Sequence, residues 1–218
     1  MNTDSLRNEI CRVGKSLFDR RYVHASAGNI SVRLPHGEGY LITPTDACLG
    51  FLDPLKLSQV DSSGSQLAGD RASKTLALHL RIYQAEPEAH CIIHTHSTHL
   101  VALSLAGPWS QADILPPITP YYVMKVGHVP LIPYHRPGDA DAGDHVVEVI
   151  TAARARGCPL RAVMQDRLGP NVWHACPAAA MAVLEELEET ARLWLMTQPK
   201  PLTEAQIEEL RQTQGARW

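Results

Sequence analysis

The segment "SAGNISVRLPHGEGYLITPT" constrains the fold more than any other part of the chain. Ile30, Val32 and Leu34 alternate with other residues, and Tyr40 and Ile42 do so beyond a Pro/Gly-rich turn. A period of two on either side of a turn reads as a β-hairpin, which places antiparallel neighbours in a sheet. "KLSQVDSSGSQLAGD" reads as a second strand pair around a Ser/Gly turn. Helical periods surround these hairpins. Leu6, Ile10, Val13 and Leu17 recur at helical spacing behind Asp4, a capping residue type, so a helix is expected from Asp4 to near Arg21. "ASKTLALHLRIYQAEP" carries Leu76, Leu80 and Tyr83 on one side and is expected to be a helix with Ser73 and Lys74 in its first turn.

Further along, "HCIIHTH" reads as a short strand and "STHLVALSLAG" as a helix, and a Pro-rich passage leads to a strand around Val129 to Ile132. "DAGDHVVEVITAARA" is expected to be helical and "LRAVMQ" a strand; two more helices, "CPAAAMAVLEELEETARLWLMTQ" and "LTEAQIEELRQ", flank the "PKP" break. Hairpins interspersed with helices predict an α/β fold with a central mixed, mainly antiparallel sheet flanked by helices. With 218 residues, and neither repeat nor linker, the expected organisation is one domain over residues 1–218.

A formal net charge of -3 with scattered Lys and Arg leaves no basic stripe, which argues against nucleic acid or an acidic membrane surface and for a small-molecule substrate. The five cysteines are widely spaced without a CxxC pair, so neither a disulfide framework nor a thiolate metal knot is expected. The N-terminus has no signal-peptide pattern and no stretch approaches the ~20 apolar residues of a membrane span, so a cytoplasmic location is expected.

"CIIHTHSTH" carries the chemistry. His94 and His96 alternate along the expected strand, share a face and converge, either as ligands for a borderline metal such as zinc or as structural imidazoles satisfied through both ring nitrogens. His99 falls within the next helix and reads as structural. A catalytic metal commonly has three protein ligands, and spacing does not identify the third. "SAGN" is either a glycine-bearing anion loop or a turn feeding the hairpin. "TPTDA" and "ASK" add hydroxyls, the second at an expected helix N-terminus that favours anions.

In order and spacing, "SAGNISVR", "LITPTD", "ASK" and "IIHTHSTH" resemble the class II aldolase/adducin family over nearly the whole chain. The resemblance implies a three-layer fold, a divalent metal with zinc foremost, enediolate chemistry on small phosphorylated sugars, and a homotetramer with sites at subunit interfaces. It assigns metal binding to His94 and His96, and phosphate binding to Gly28, Asn29, Thr45 and Ser73. The backbone of Asp46 stands where the aldolases have a glycine.

Within the family, "CLGFLDP", "TPYYVMKVGHVPLIPYHRPGD" and "EELEETARL" resemble the decarboxylases of 3-oxo-tetronate 4-phosphates. That likeness implies loss of carbon dioxide through a metal-stabilised enediolate to give dihydroxyacetone phosphate, with Lys74 as the proton donor where aldolases use a glutamate base. Aldol cleavage or epimerisation of a phosphorylated sugar, and a non-catalytic adducin-like scaffold, are the alternatives. One departure stands out: Leu168 occupies the place of the family's third metal histidine, and leucine does not ligate. Asp166, His135 and His174 are the candidate replacements, while Arg136, Tyr121 and Tyr122 are further polar candidates in the Pro-rich passage.

Overall fold

The computed structural model describes residues 2–218. Its centre is an eight-stranded sheet in the order β4-β3-β2-β1-β5-β8-β7-β6. The hairpin that constrained the sequence reading is β1 (Asn29–Arg33) against β2 (Tyr40–Ile42), antiparallel, followed by the pair β3 (Ser58–Val60) and β4 (Gln66–Ala68). Crossing back, β5 (Cys91–His94) lies beside β1, and β8 (Gly169–His174) beside β5. The far edge is β7 (Ala162–Gln165) and β6 (Leu131–Ile132), the latter pair parallel. The sheet is therefore mixed and mainly antiparallel, as expected.

Strand alternation sorts the core into two layers. Ile30, Val32, Cys91, Ile93, Val172, Ala162 and Met164 share one face, in contact with α1 (Thr3–Asp19), α3 (Thr98–Ala106) and α5 (Pro177–Thr197). On the other face, Tyr40, Ile92, Trp173 and Val163 pack with α2 (Leu76–Ala85) and α4 (Ala140–Ala155) through Ile82, Tyr83, Val146 and Ile150. Each buried apolar side chain of this size is worth about 1.5–3 kcal/mol, so both faces must be covered, which gives three layers. A last helix, α6 (Glu204–Gln214), packs Ile207 beside Val123 in a one-turn π-helical segment at Tyr122–Val126. No helix among the described residues is long and apolar enough to cross a membrane.

Four details differ from the sequence reading. Asn2, not Asp4, caps α1, its side chain accepting from Ser5 N at 2.9 Å. Ser73 and Lys74 precede α2, whose N-cap is Thr75. Strand β5 ends at His94, so His96 lies beyond it. Strand β8 went unanticipated because "GPNVWH" is short, begins with Gly-Pro and is buried on both faces, which hides the alternation a half-exposed strand shows.

Candidate active site

Strands β5, β7 and β6 end at the same side of the sheet, and the histidines sit there. His94 closes β5 on the face shared with Ile92, and it is 3% exposed. Its Nδ1 donates to the carbonyl oxygen of Pro170 at 2.9 Å, which leaves Nε2 as the unprotonated nitrogen of a neutral imidazole. Burial first, then the neighbouring His96, pushes the His94 pKa down to about 3. Burial and then His24 lower that of His96 as well. The two Nε2 atoms face each other at 3.1 Å.

That separation suits a cation. Two ligand bonds of ~2.05 Å subtend 3.1 Å at an angle of about 100°, between octahedral and tetrahedral values. The surroundings point the same way. Asn29 of β1 and Asn171 of β8 are the cross-strand partners of His94 on its two sides, so all three side chains rise from one face. Both amides are buried, and each has an Oδ1 without a hydrogen-bond partner. The Nε2 of fully buried His79 is also unpartnered. An orphaned buried polar atom costs about 1–3 kcal/mol, so several around one imidazole pair mark a place prepared for a ligand. The residues present fit a divalent cation held by His94 and His96.

Beneath them runs a buried hydrogen-bonded chain absent from the sequence reading. Ser31 Oγ lies 2.7 Å from His79 Nδ1 and 2.9 Å from Tyr83 OH, so the hydroxyl links α2 to β1. Burial, and then His94, lowers the pKa of His79 to about 3. The spacing of His79 and Tyr83, one helical turn apart on the face turned to the sheet, was the available signal.

The expected anion-binding segments fall into two groups. Gly28 adopts φ +83, and a Cβ there would stand 2.8 Å from the His94 carbonyl oxygen; only glycine lets this loop press against β5. Asn29 follows it directly beside His94. An isolated bridge between Pro44 and Ala72 joins the second and third segments, and Thr45 N donates to Arg71 O at 2.9 Å. Thr45 lines a cleft of about 450 Å³ in which the cations Lys56 and Arg71 stand among the carboxylates Asp46, Asp53 and Asp70. Asp46 takes φ 57, the left-handed region that glycine adopts without strain. Ser73 Oγ sits 3.0 Å from Thr75 Oγ1 at the head of α2. Lys74 is exposed, with no hydrogen bond or ion pair among the described residues.

None of the candidate replacements for the missing histidine joins the pair. Among the described residues no group of three His, Cys, Asp or Glu side chains could hold a metal ion. His174 ends β8, at the opposite end of that strand from Gly169. His135 Nε2 is 3.1 Å from His145 Nδ1, and Asp166 is 3.7 Å from Arg167 Nε. Leu168 occupies the β7–β8 turn, next to Gly169, whose missing Cβ lets the turn close on the Thr95 carbonyl. His99 is structural: its Nδ1 and backbone N–H both donate to Glu188 Oε1, at 2.8 and 3.0 Å. Arg136 and Tyr121 are exposed, and Tyr122 is buried with its hydroxyl unpartnered.

The profile of the Class II Aldolase and Adducin N-terminal domain matches residues 8–195. A 3-oxo-tetronate 4-phosphate decarboxylase of Cupriavidus necator is 53% identical over 226 residues, covering 100% of both chains. One from Escherichia coli is 40% identical over 95% of each chain. Among solved structures, YgbL from Escherichia coli superposes with a TM-score of 0.87 at 40% identity, covering 96% of this chain and 99% of that one. An L-fuculose 1-phosphate aldolase, 20% identical over 97% of this chain and 96% of its own, superposes with a TM-score of 0.79 and shares the fold.

Proposed function

This chain belongs to the Class II aldolase and adducin family, and we propose that it decarboxylates 3-oxo-tetronate 4-phosphate to dihydroxyacetone phosphate and carbon dioxide. The observation that carries the chemistry is the facing pair of His94 and His96 Nε2 atoms, 3.1 Å apart beside the buried polar side chains of Asn29 and Asn171. Full-length identity of 53% to a relative of that name supports the choice of reaction.

In the reaction the C1–C2 bond breaks and its electron pair moves toward the 3-oxo oxygen, so an enediolate forms between C2 and C3; a proton then returns to C2. A divalent cation, zinc foremost, supplies Lewis-acid polarisation of that oxygen when bound. Every other task falls to the chain. The Pro170 carbonyl fixes the His94 tautomer so that Nε2 keeps its lone pair. Burial keeps the imidazole neutral. Gly28, Asn29, Thr45 and Ser73 bind the 4-phosphate. Lys74, which has no hydrogen bond or ion pair among the described residues, offsets the carboxylate before it leaves and donates the proton to C2. The reading includes a single domain over residues 1–218 and a cytoplasmic homotetramer, which rest on the family resemblance and, for the reducing compartment, on five unpaired cysteines.

A scaffold role without catalysis is the competing reading, favoured by the lack of a third His, Cys, Asp or Glu at the histidine pair among the described residues. One assay separates them. Purified protein supplied with divalent cation and 3-oxo-tetronate 4-phosphate is expected to release carbon dioxide and dihydroxyacetone phosphate in equal amounts. Lys74→Ala is expected to lower kcat by about 100-fold or more. No carbon dioxide release refutes the decarboxylase, and full activity in Lys74→Ala refutes the role of the lysine.

A further inference from the structure

Leu168 leaves the histidine pair one protein donor short, and no other His, Cys, Asp or Glu completes a group of three among the described residues. That leaves neutral oxygens as the available donors. Asn171 is the residue that β8 sets directly across from His94. It is 1% exposed, and its Oδ1 has no partner. Its orientation is fixed from the other side, because Nδ2 donates to Gln165 Oε1 of β7 at 2.9 Å. Strand β8 lies between β7 and β5. An amide is planar with its nitrogen and oxygen on opposite sides of Cγ, so a nitrogen turned to β7 turns the oxygen toward β5 and His94. The neighbouring Pro170 carbonyl already holds the His94 Nδ1, so a hydrogen bond to that nitrogen does not occupy the Asn171 oxygen.

We propose that Asn171 Oδ1 is the third protein donor to the cation held by His94 and His96, taking over on β8 the task that Leu168 has lost. The donor set becomes two imidazole nitrogens and one neutral amide oxygen. Such a set favours an oxygen-tolerant cation such as manganese more than three imidazoles do, and holds zinc less tightly. The inference rests on the cation reading of the histidine pair but not on the identity of the reaction.

The test uses the full chain, stripped of metal, with manganese and zinc titrated calorimetrically and the visible spectrum of bound cobalt as a coordination readout. Asn171→Val, close in size and suited to a strand, is expected to weaken manganese and zinc binding by about tenfold or more and to change the cobalt spectrum. Urea unfolding of the metal-free variant separates a lost ligand from a lost fold, since Asn171→Val removes the orphaned acceptor and the hydrogen bond to Gln165 together. Asn171→Asp, which keeps the shape and adds charge, is expected to tighten binding. In the Asn171→Val background, Leu168→His is expected to restore affinity. Wild-type affinity and an unchanged cobalt spectrum in both Asn171 variants overturn the proposal while leaving the histidine pair intact. Failure of the wild-type chain to bind any of the three cations overturns the cation site and the proposal with it. Asn171-dependent binding without carbon dioxide release leaves the proposal standing and refutes the decarboxylase.

Discussion

Acid should unfold this protein through its buried imidazoles, and His79 offers the cleanest test. It is fully buried, and burial, then His94, lowers its pKa from 6.5 to about 3. The unfolded chain takes up a proton near the ordinary value, while the folded chain refuses it until about pH 3. Stability is therefore present above about pH 6.5, falls as pH drops through the window between the two values, and levels off below it. Within the window the slope is about 1.4 kcal/mol per pH unit for one group. From pH 7 to pH 5 the loss comes to about 2 kcal/mol for His79. His94, lowered to about 3 by the same kind of burial, adds a similar amount. Together about 4 kcal/mol is a large fraction of the ~5–15 kcal/mol that holds a domain folded. The assay is urea unfolding of metal-free protein across that range, read by tryptophan fluorescence, for wild type and His79→Gln. Glutamine keeps a polar partner for Ser31 and does not titrate, so its stability curve should be shallower by about 1.4 kcal/mol per pH unit. Parallel curves would show that His79 is already protonated, or already solvated, and the account of a neutral buried network would fall.

Two further substitutions probe how the scaffold holds the site. Gly28→Ala puts a side chain at φ +83, 2.8 Å from the His94 carbonyl and 2.9 Å from Val23, so a loss of about 2–4 kcal/mol in urea stability is expected, with weaker cation binding as β5 shifts. Glu188→Ala removes the carboxylate that accepts from His99 Nδ1 and from the backbone N–H groups of His99 and Leu100, thereby capping α3. The buried Leu100 N–H has no water to turn to, so about 2–4 kcal/mol should be lost in the same assay, with cation affinity unchanged.

The hairpins, the five helices that cover the sheet and the convergence of His94 with His96 were legible because each leaves a local period or a local spacing. What was not legible is what tertiary register creates. Nothing in "GPNVWH" announces a strand, and without β8 there is no reason to set Asn171 beside His94, though the two lie 77 positions apart in sequence and directly opposite in the sheet. Ser31, His79 and Tyr83 are ordinary residues of a strand and a helix until α2 is laid on the sheet, when one hydroxyl joins all three. Position 168 was the converse case. The resemblance leads one to expect a histidine there, and the structure sets Leu168 in the turn between β7 and β8, before a glycine that closes on the Thr95 carbonyl.

The charge balance of the pocket links these observations to substrate choice. The groups set around His94 are neutral: His96, His79, Ser31, Asn29 and Asn171. A carboxylate in the donor set would cancel part of a cation's charge, and none is present in a group of three among the described residues. The balancing negative charge is then left to the substrate. A 3-oxo acid phosphate carries it at both ends, and a phosphorylated sugar at one. A histidine pair set among buried neutral side chains gains most from a ligand that brings its own charge. The same neutrality that lowers affinity for a free cation thus favours an anionic substrate, and binding of one should strengthen binding of the other by equal factors.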